Sequence, residues 1–265
     1  MGTNKKHNLF IALAAIFLTN AILAEMIGVK IFSAESTFNL PPANIPLFGG
    51  SVLSFNLTAG VIIWPVVFLT TDIINEYYGK KGVRKLSYIA AGCIAYAFIV
   101  IYIITLLPPA KFWTEINGTD PDGNYFNMNF AFNKIFSQGL GIIVGSLVAF
   151  LLGQFLDVYI FQKLKKITGS KMIWLRATGS TLVSQFIDSF VVLGIAFYVL
   201  APENSRWSLT QLASVGIINY IYKFSVAILF TPLIYLGHNI IDKYLGKSLS
   251  DAMTKEASEG SDGFF

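Results

Sequence analysis

Long apolar runs separated by short polar connections make up nearly all of this chain. Crossing the hydrocarbon of a bilayer takes about 20 apolar residues in a helix. Six stretches meet that length: 9–29, 57–78, 86–108, 139–162, 174–200 and 209–238. Together they occupy most of the 265 residues and leave no room for a separate soluble domain. The pattern predicts an all-α polytopic membrane protein with six transmembrane helices in one domain, residues 1–246. The remainder, 247–265, "KSLSDAMTKEASEGSDGFF", reads as a polar, disordered cytoplasmic tail. Lys5 and Lys6 precede the first run as they would in a secretion signal. The run is about twenty residues long and has no convincing small-x-small cleavage site, so it is expected to stay as the first helix.

Composition agrees. Hydrophobic residues make up 54% and charged residues 13%, where a soluble domain carries about 25% charge; the mean hydropathy is +0.62. With the N-terminus inside, the inner segments hold 14 of the 19 Lys and Arg residues. The positive-inside rule then places both termini in the cytoplasm. The same asymmetry accounts for the basic balance, which is no sign of a nucleic-acid partner. Cys93 stands alone within a run, which excludes a disulfide framework and a cysteine metal site. No Walker A pattern is present, and no cofactor or metal is expected.

Charged side chains inside a bilayer cost about 2.5–3.5 kcal/mol each on insertion scales, and they face the bundle interior where they serve function. The first helix carries Asn20 and Glu25. In the second, Trp64, Phe68, Asp72, Asn75 and Glu76 share one third of the circumference, an aromatic platform above a polar cluster. Pro65 is expected to bend the helix there. The third has no charge between Ser87 and Pro108 and reads as a packing element. The fourth carries Gln154 and Asp157 after Gly141-x-x-x-Gly145, a spacing that suits close helix packing. The fifth carries Thr181, Ser184, Gln185 and Asp188 at i, i+3, i+4, i+7, and the sixth Asn219 and Lys223. A short echo, "GQFLD" at 153–157 and "SQFID" at 184–188, suggests two similar polar sites facing each other.

Each of these also has a plain structural reading. Glu76 precedes Lys80, Lys81, Arg84 and Lys85 and could belong to an interfacial salt-bridge cluster. Arg176 could be an anchor at the inner end of its helix. Glu25 could pair with Lys30, and Asp157 with Lys223. Asp188 and Lys223, near mid-bilayer, have the stronger functional reading. Carboxylates, amides, one lysine and aromatic rings together suit a planar, uncharged or singly positive heterocyclic base. Its adjacent N–H donors would meet a carboxylate, its carbonyl an amide or lysine, and its faces the rings.

"TDIINEYYGKKGVRK" at 71–85 and "WLRATGSTLVSQFIDS" at 174–189 resemble the queuosine precursor transporter family, the vitamin-uptake-like proteins of bacterial inner membranes. The resemblance implies uptake of 7-deazaguanine bases and a fold similar to the substrate-binding subunits of energy-coupling-factor transporters. It implicates Asp72, Asn75, Glu76, Arg176, Ser184, Gln185 and Asp188. Substrate subunits of that kind often dock on their motor through A-x-x-x-A, which "ALAAIFLTNAILA" lacks. A self-sufficient transporter is therefore the first expectation, and a binding subunit that needs a separate ATPase is the alternative. An intramembrane aspartyl protease on Asp72 and Asp188 is a third reading, but no G-x-G-D element is present. Besides the base and the lipid bilayer, a second copy of the chain is left open as a partner.

Overall fold

A computed structural model describes residues 2–46, 52–137, 140–169 and 172–259. Helix α1 (Gly2–Ile27) leads into β1 (Ile31–Ser33), α2 (Ala34–Thr37), β2 (Ile45–Pro46), β3 (Val52–Leu53) and β4 (Asn56–Thr58). There follow α3 (Trp64–Thr105), α4 (Lys111–Ile116), α5 (Met128–Phe136), α6 (Leu140–Thr168) and α7 (Ile173–Gly194). A π-turn over Ile195–Val199 extends α7, and α8 (Leu209–Leu245) and α9 (Lys247–Glu259) complete the chain. Among the described residues five helices, α1, α3, α6, α7 and α8, are long and apolar enough to cross a membrane.

The second and third expected spans form one element, α3, whose 42 residues would measure about 63 Å if straight. It is not straight. Gly79 takes φ 67°, ψ −170° and separates arms 64–78 and 80–105. Contacts with α6 show the consequence. Along the first arm the partners descend α6: Trp64 meets Phe150, Thr71 meets Gln154, Asn75 meets Gln162 and Glu76 meets Lys165. Beyond Gly79, Tyr88 packs on Phe155, back up the same helix, so the chain has reversed. The expected bend at Pro65 is absent. Pro65 lies in the first turn, where its missing N–H would have had no helical partner anyway.

Leu86, Ala90, Ile94 and Phe98 of the second arm join Phe17 and Ala21 of α1 and Val67 and Ile74 of the first arm in the main core, the packing role expected for that run. Tyr96, Ile99, Tyr102 and Ile103 point outward, as do Leu229, Leu236 and Ile240 of α8. Outward apolar rows of this kind suit lipid and not water. Gly145 brings α6 close to the end of α7: a Cβ there would lie 3.0 Å from the carbonyl oxygen of Val192.

The loop after α1 is more ordered than its turn-rich sequence suggests. β1 pairs antiparallel with β4, and β2 with β3. Glu35 ties them together, accepting from the N–H of Phe55 at 2.7 Å, the N–H of Ala43 at 3.3 Å and the hydroxyl of Ser33 at 3.1 Å. These donors favour the carboxylate and hold its pKa below the usual value.

The tail requires a correction. Residues 247–259 form helix α9, and 260–265 lie outside the described residues. Leu249, Met253 and Ala257 repeat every four residues, which gives the polar segment one apolar stripe. Met253 is buried in the main core, and Ala257 lies against Gly79. Ser250 donates to Asp242, which also accepts from Tyr77, so α9 is fixed to α8 and α3. Lys6 of α1 pairs with Glu256 at 3.4 Å.

Candidate functional site

The echo in α6 and α7 has a structural counterpart. The two helices are antiparallel neighbours, and Gly153, Gln154 and Asp157 face Ser184, Gln185 and Asp188 across one cavity. The first residue of each copy touches the last residue of the other. Ser184 donates to Asp157 Oδ1 at 3.3 Å, and a Cβ on Gly153 would lie 3.8 Å from Asp188. The cavity has a volume of about 460 Å³, within the range that takes a small organic ligand.

The other walls come from α1, α3 and α8. Trp64 and Phe68 stack at 5.7 Å and 19°, and both line the cavity; Phe150 lies 6.0 Å from Trp64. Glu25 accepts from Ser146 at 2.5 Å. Lys223 forms an ion pair with Asp188, the two side chains being 19% and 20% exposed. Asn219 completes this wall. Asp157 is held by α7: its Oδ1 is within reach of the hydroxyls of Ser180 at 2.9 Å, Thr181 at 3.3 Å and Ser184 at 3.3 Å. None of the described residues bonds to its Oδ2. The site thus presents free carboxylate and amide acceptors, amide and ammonium donors, and a ring platform. Among the described residues no three His, Cys, Asp or Glu side chains are grouped as a metal would need.

Ten of the residues singled out from the sequence share this cavity: Glu25, Trp64, Phe68, Gln154, Asp157, Ser184, Gln185, Asp188, Asn219 and Lys223. Four do not line it. Asn20 donates to the Ile16 carbonyl of its own helix. Asn75 is fully buried and accepts from Gln162 at 2.6 Å. Asp72 lies behind the ring platform, in a small side pocket of about 40 Å³ against α8. Glu76 is closed off in a buried triad with Arg176 at 2.7 Å and Lys165 at 3.3 Å.

Arg176 is accordingly no interfacial anchor. It is 1% exposed, donates to the Gly169 carbonyl at 2.7 Å as well as to Glu76, and lies over the Phe161 ring. Glu76 is partnered from α6 and α7, 89 and 100 residues away in sequence. The expected pairs of Asp157 with Lys223 and of Glu25 with Lys30 give way to hydroxyl partners for both acids. Sequence reasoning passed over Lys165, Ser146, Phe150 and Ser180. Lys165 had a signal: it follows Asp157 and Phe161 at steps of four along one face of α6.

A multi-pass helical membrane protein with a ligand-sized cavity whose largely apolar, ring-bearing wall carries a set of polar side chains has the build of a small-solute transporter. The family model described as a putative vitamin uptake transporter matches residues 58–237. The probable queuosine precursor transporter of Bacillus subtilis (strain 168) is 30% identical over 190 residues, 71% of this chain and 75% of that protein. The protein of the same name in Haemophilus influenzae is 30% identical over 192 residues, 71% of each chain. The queuosine precursor transporter of Escherichia coli (strain K12) is 26% identical over 211 residues, 80% of this chain and 84% of that one. The chain belongs to this family of membrane transporters, the queuosine precursor transporter family. No solved structure matches it.

Proposed function

We propose that this chain imports queuosine precursors, 7-deazaguanine bases such as 7-cyano-7-deazaguanine or 7-aminomethyl-7-deazaguanine, across the bacterial inner membrane. The observation that carries the reading is the cavity itself. It joins a stacked Trp64–Phe68 platform to the facing polar sets of α6 and α7, in a chain whose relatives bear the name of such transporters. A planar base lies between ring and polar wall. Its adjacent N–H donors go to the open Oδ2 of Asp157 or to the Asp188 carboxylate. Lys223 and the amides of Gln154, Gln185 and Asn219 serve its carbonyl and ring nitrogens. Glu25 and Ser146 face the entrance from outside.

The two arms of α3 count as separate crossings in this reading. With the other four long helices they make six, and both termini lie in the cytoplasm. The chain works alone, without a separate ATPase. The test is the purified protein in liposomes with radiolabelled base. Uptake or base–base exchange by this chain alone is expected. Trp64→Ala should weaken binding by the roughly 1–3 kcal/mol of one base–ring stack, about 5- to 150-fold. Binding without movement would favour the ATPase-dependent alternative, and no binding of any free base would overturn the reading.

A further inference from the structure

The floor beneath the cavity contains one acid too many. Asp72, Glu76 and Asp157 gather there against two cations, Lys165 and Arg176, and all five are buried. The other charges close by are already matched. Lys223, which reaches the same side pocket from α8, is paired with Asp188. Asp242 of α8 is exposed to solvent, and it and His238 hydrogen-bond the Tyr77 hydroxyl. Tyr222 is the remaining titratable group on the pocket wall.

The three acids are not equally supported. Glu76 holds both cations. Asp157 has three hydroxyls within reach of Oδ1. Asp72 is 3% exposed, and its Oδ1 is buried with no hydrogen-bond partner in the described structure. Around it the pocket wall is mainly apolar, with Val61, Leu69, Val226 and Phe230, and the hydroxyls of Thr178 and Thr181 that also reach it are engaged with Thr231 and Asp157. An ionised carboxylate without a partner in such surroundings takes up a proton instead of remaining charged. With Asp72 neutral, Glu76 and Asp157 balance Lys165 and Arg176.

We propose that Asp72 holds one exchangeable proton and is the site at which proton movement is coupled to movement of the base. The inference rests on the transport reading above. Asp72 is placed to do this because Trp64, Phe68 and Lys223 line both the base cavity and its side pocket. A base that settles on those rings or draws on Lys223 alters what faces Asp72. The rings and the acid also share arm 64–78, so a shift of that arm moves both. The proton enters on Asp72 from outside and leaves to the cytoplasm once the triad of Glu76 opens. No bond other than O–H forms or breaks.

The experiment uses the whole chain in proteoliposomes with the neutral base 7-cyano-7-deazaguanine. With the membrane potential clamped at zero by potassium and valinomycin, an inward proton gradient of about one pH unit and one proton per base give about tenfold accumulation. The medium should become alkaline in step with uptake, and a protonophore should abolish the accumulation. Asp72→Asn copies the protonated acid. It is expected to keep base–base exchange at the wild-type rate and to lose both accumulation and proton movement. Asp72→Ser gives the same readout should the Asn variant fail to fold.

Net uptake by the wild type that stops at equal concentrations under the gradient, with no proton movement, would overturn the proposal and leave the transport reading intact. So would accumulation that survives in a folded Asp72 variant. Loss of exchange in a folded variant would make Asp72 a contact of the base and overturn the assignment too. A wild type that exchanges no base at all sinks the transport reading, and the coupling proposal with it.

Discussion

Replacing Arg176 by Met tests whether the end of the bundle around Glu76 is held by charge. The guanidinium donates to Glu76 at 2.7 Å and to the Gly169 carbonyl at 2.7 Å, and it is 1% exposed. Met fills much of the same space against Phe161 but offers no donor. Breaking a buried pair by removing one partner destabilises by about 3–5 kcal/mol. Lys165 stays 3.3 Å from Glu76 and keeps that acid from being stranded, which argues for the lower end. A loss of about 3 kcal/mol corresponds to a melting point lower by roughly 6–12 °C, scaling from soluble domains of this size. Arg176→Lys should fall between, since one ammonium cannot reproduce two directed N–H bonds from a rigid fork. Thermal unfolding in detergent, followed by size-exclusion of the soluble fraction, reads all three proteins. An unchanged melting point in Arg176→Met would refute the structural role. A melting point unchanged in Arg176→Lys but lowered in Arg176→Met would reduce the role to charge alone.

Two further outcomes follow from backbone and loop. Gly79→Ala places a side chain at φ 67°, ψ −170°, a region that is essentially glycine-only and costs about 1–3 kcal/mol for other residues. It also sets a Cβ 3.0 Å from the Ala257 carbonyl oxygen, so the melting point should fall and α9 should become cleavable by protease; a variant as stable and as resistant as the wild type would sink the reversal at this residue. Glu35 has a lowered pKa in the folded loop, so its contribution is present above the unfolded value of about 4.5 and is lost as pH falls through the folded value. Hydrogen-exchange protection over residues 31–46 and 52–58, taken relative to the intrinsic exchange rate at each pH, should therefore fall on acidification in the wild type. Glu35→Gln should show low protection at every pH, and an acid-dependent loss of protection kept by that variant would assign it to another group.

How much of this could be read from the chain depends on how far apart the interacting residues lie. Lipid offers no partner for backbone polar groups, so each crossing must be a helix and each helix must be apolar for about 20 residues. That local requirement fixed the number and place of the apolar runs. It also made the polar residues within them conspicuous, and eight of them line one cavity with Trp64 and Phe68. The echo of 153–157 in 184–188 survived for the same reason, because two adjacent antiparallel helices bring matching steps face to face.

Tertiary structure decided the remainder. Glu76 has four basic residues just after it in sequence, yet its partners in the fold come from α6 and α7. The spacing that put Asp72 on the same face as Trp64 and Phe68 was right, but a helix face is wider than a cavity. The rings cover one side of it, and Asp72 lies behind them. Composition alone gave α9 a disordered reading, since its single apolar stripe has value only against α3 and the core around Met253. The pattern along the chain sets which side chains must leave lipid. Which of them meet is set by the reversal at Gly79 and by how closely α6 and α7 approach.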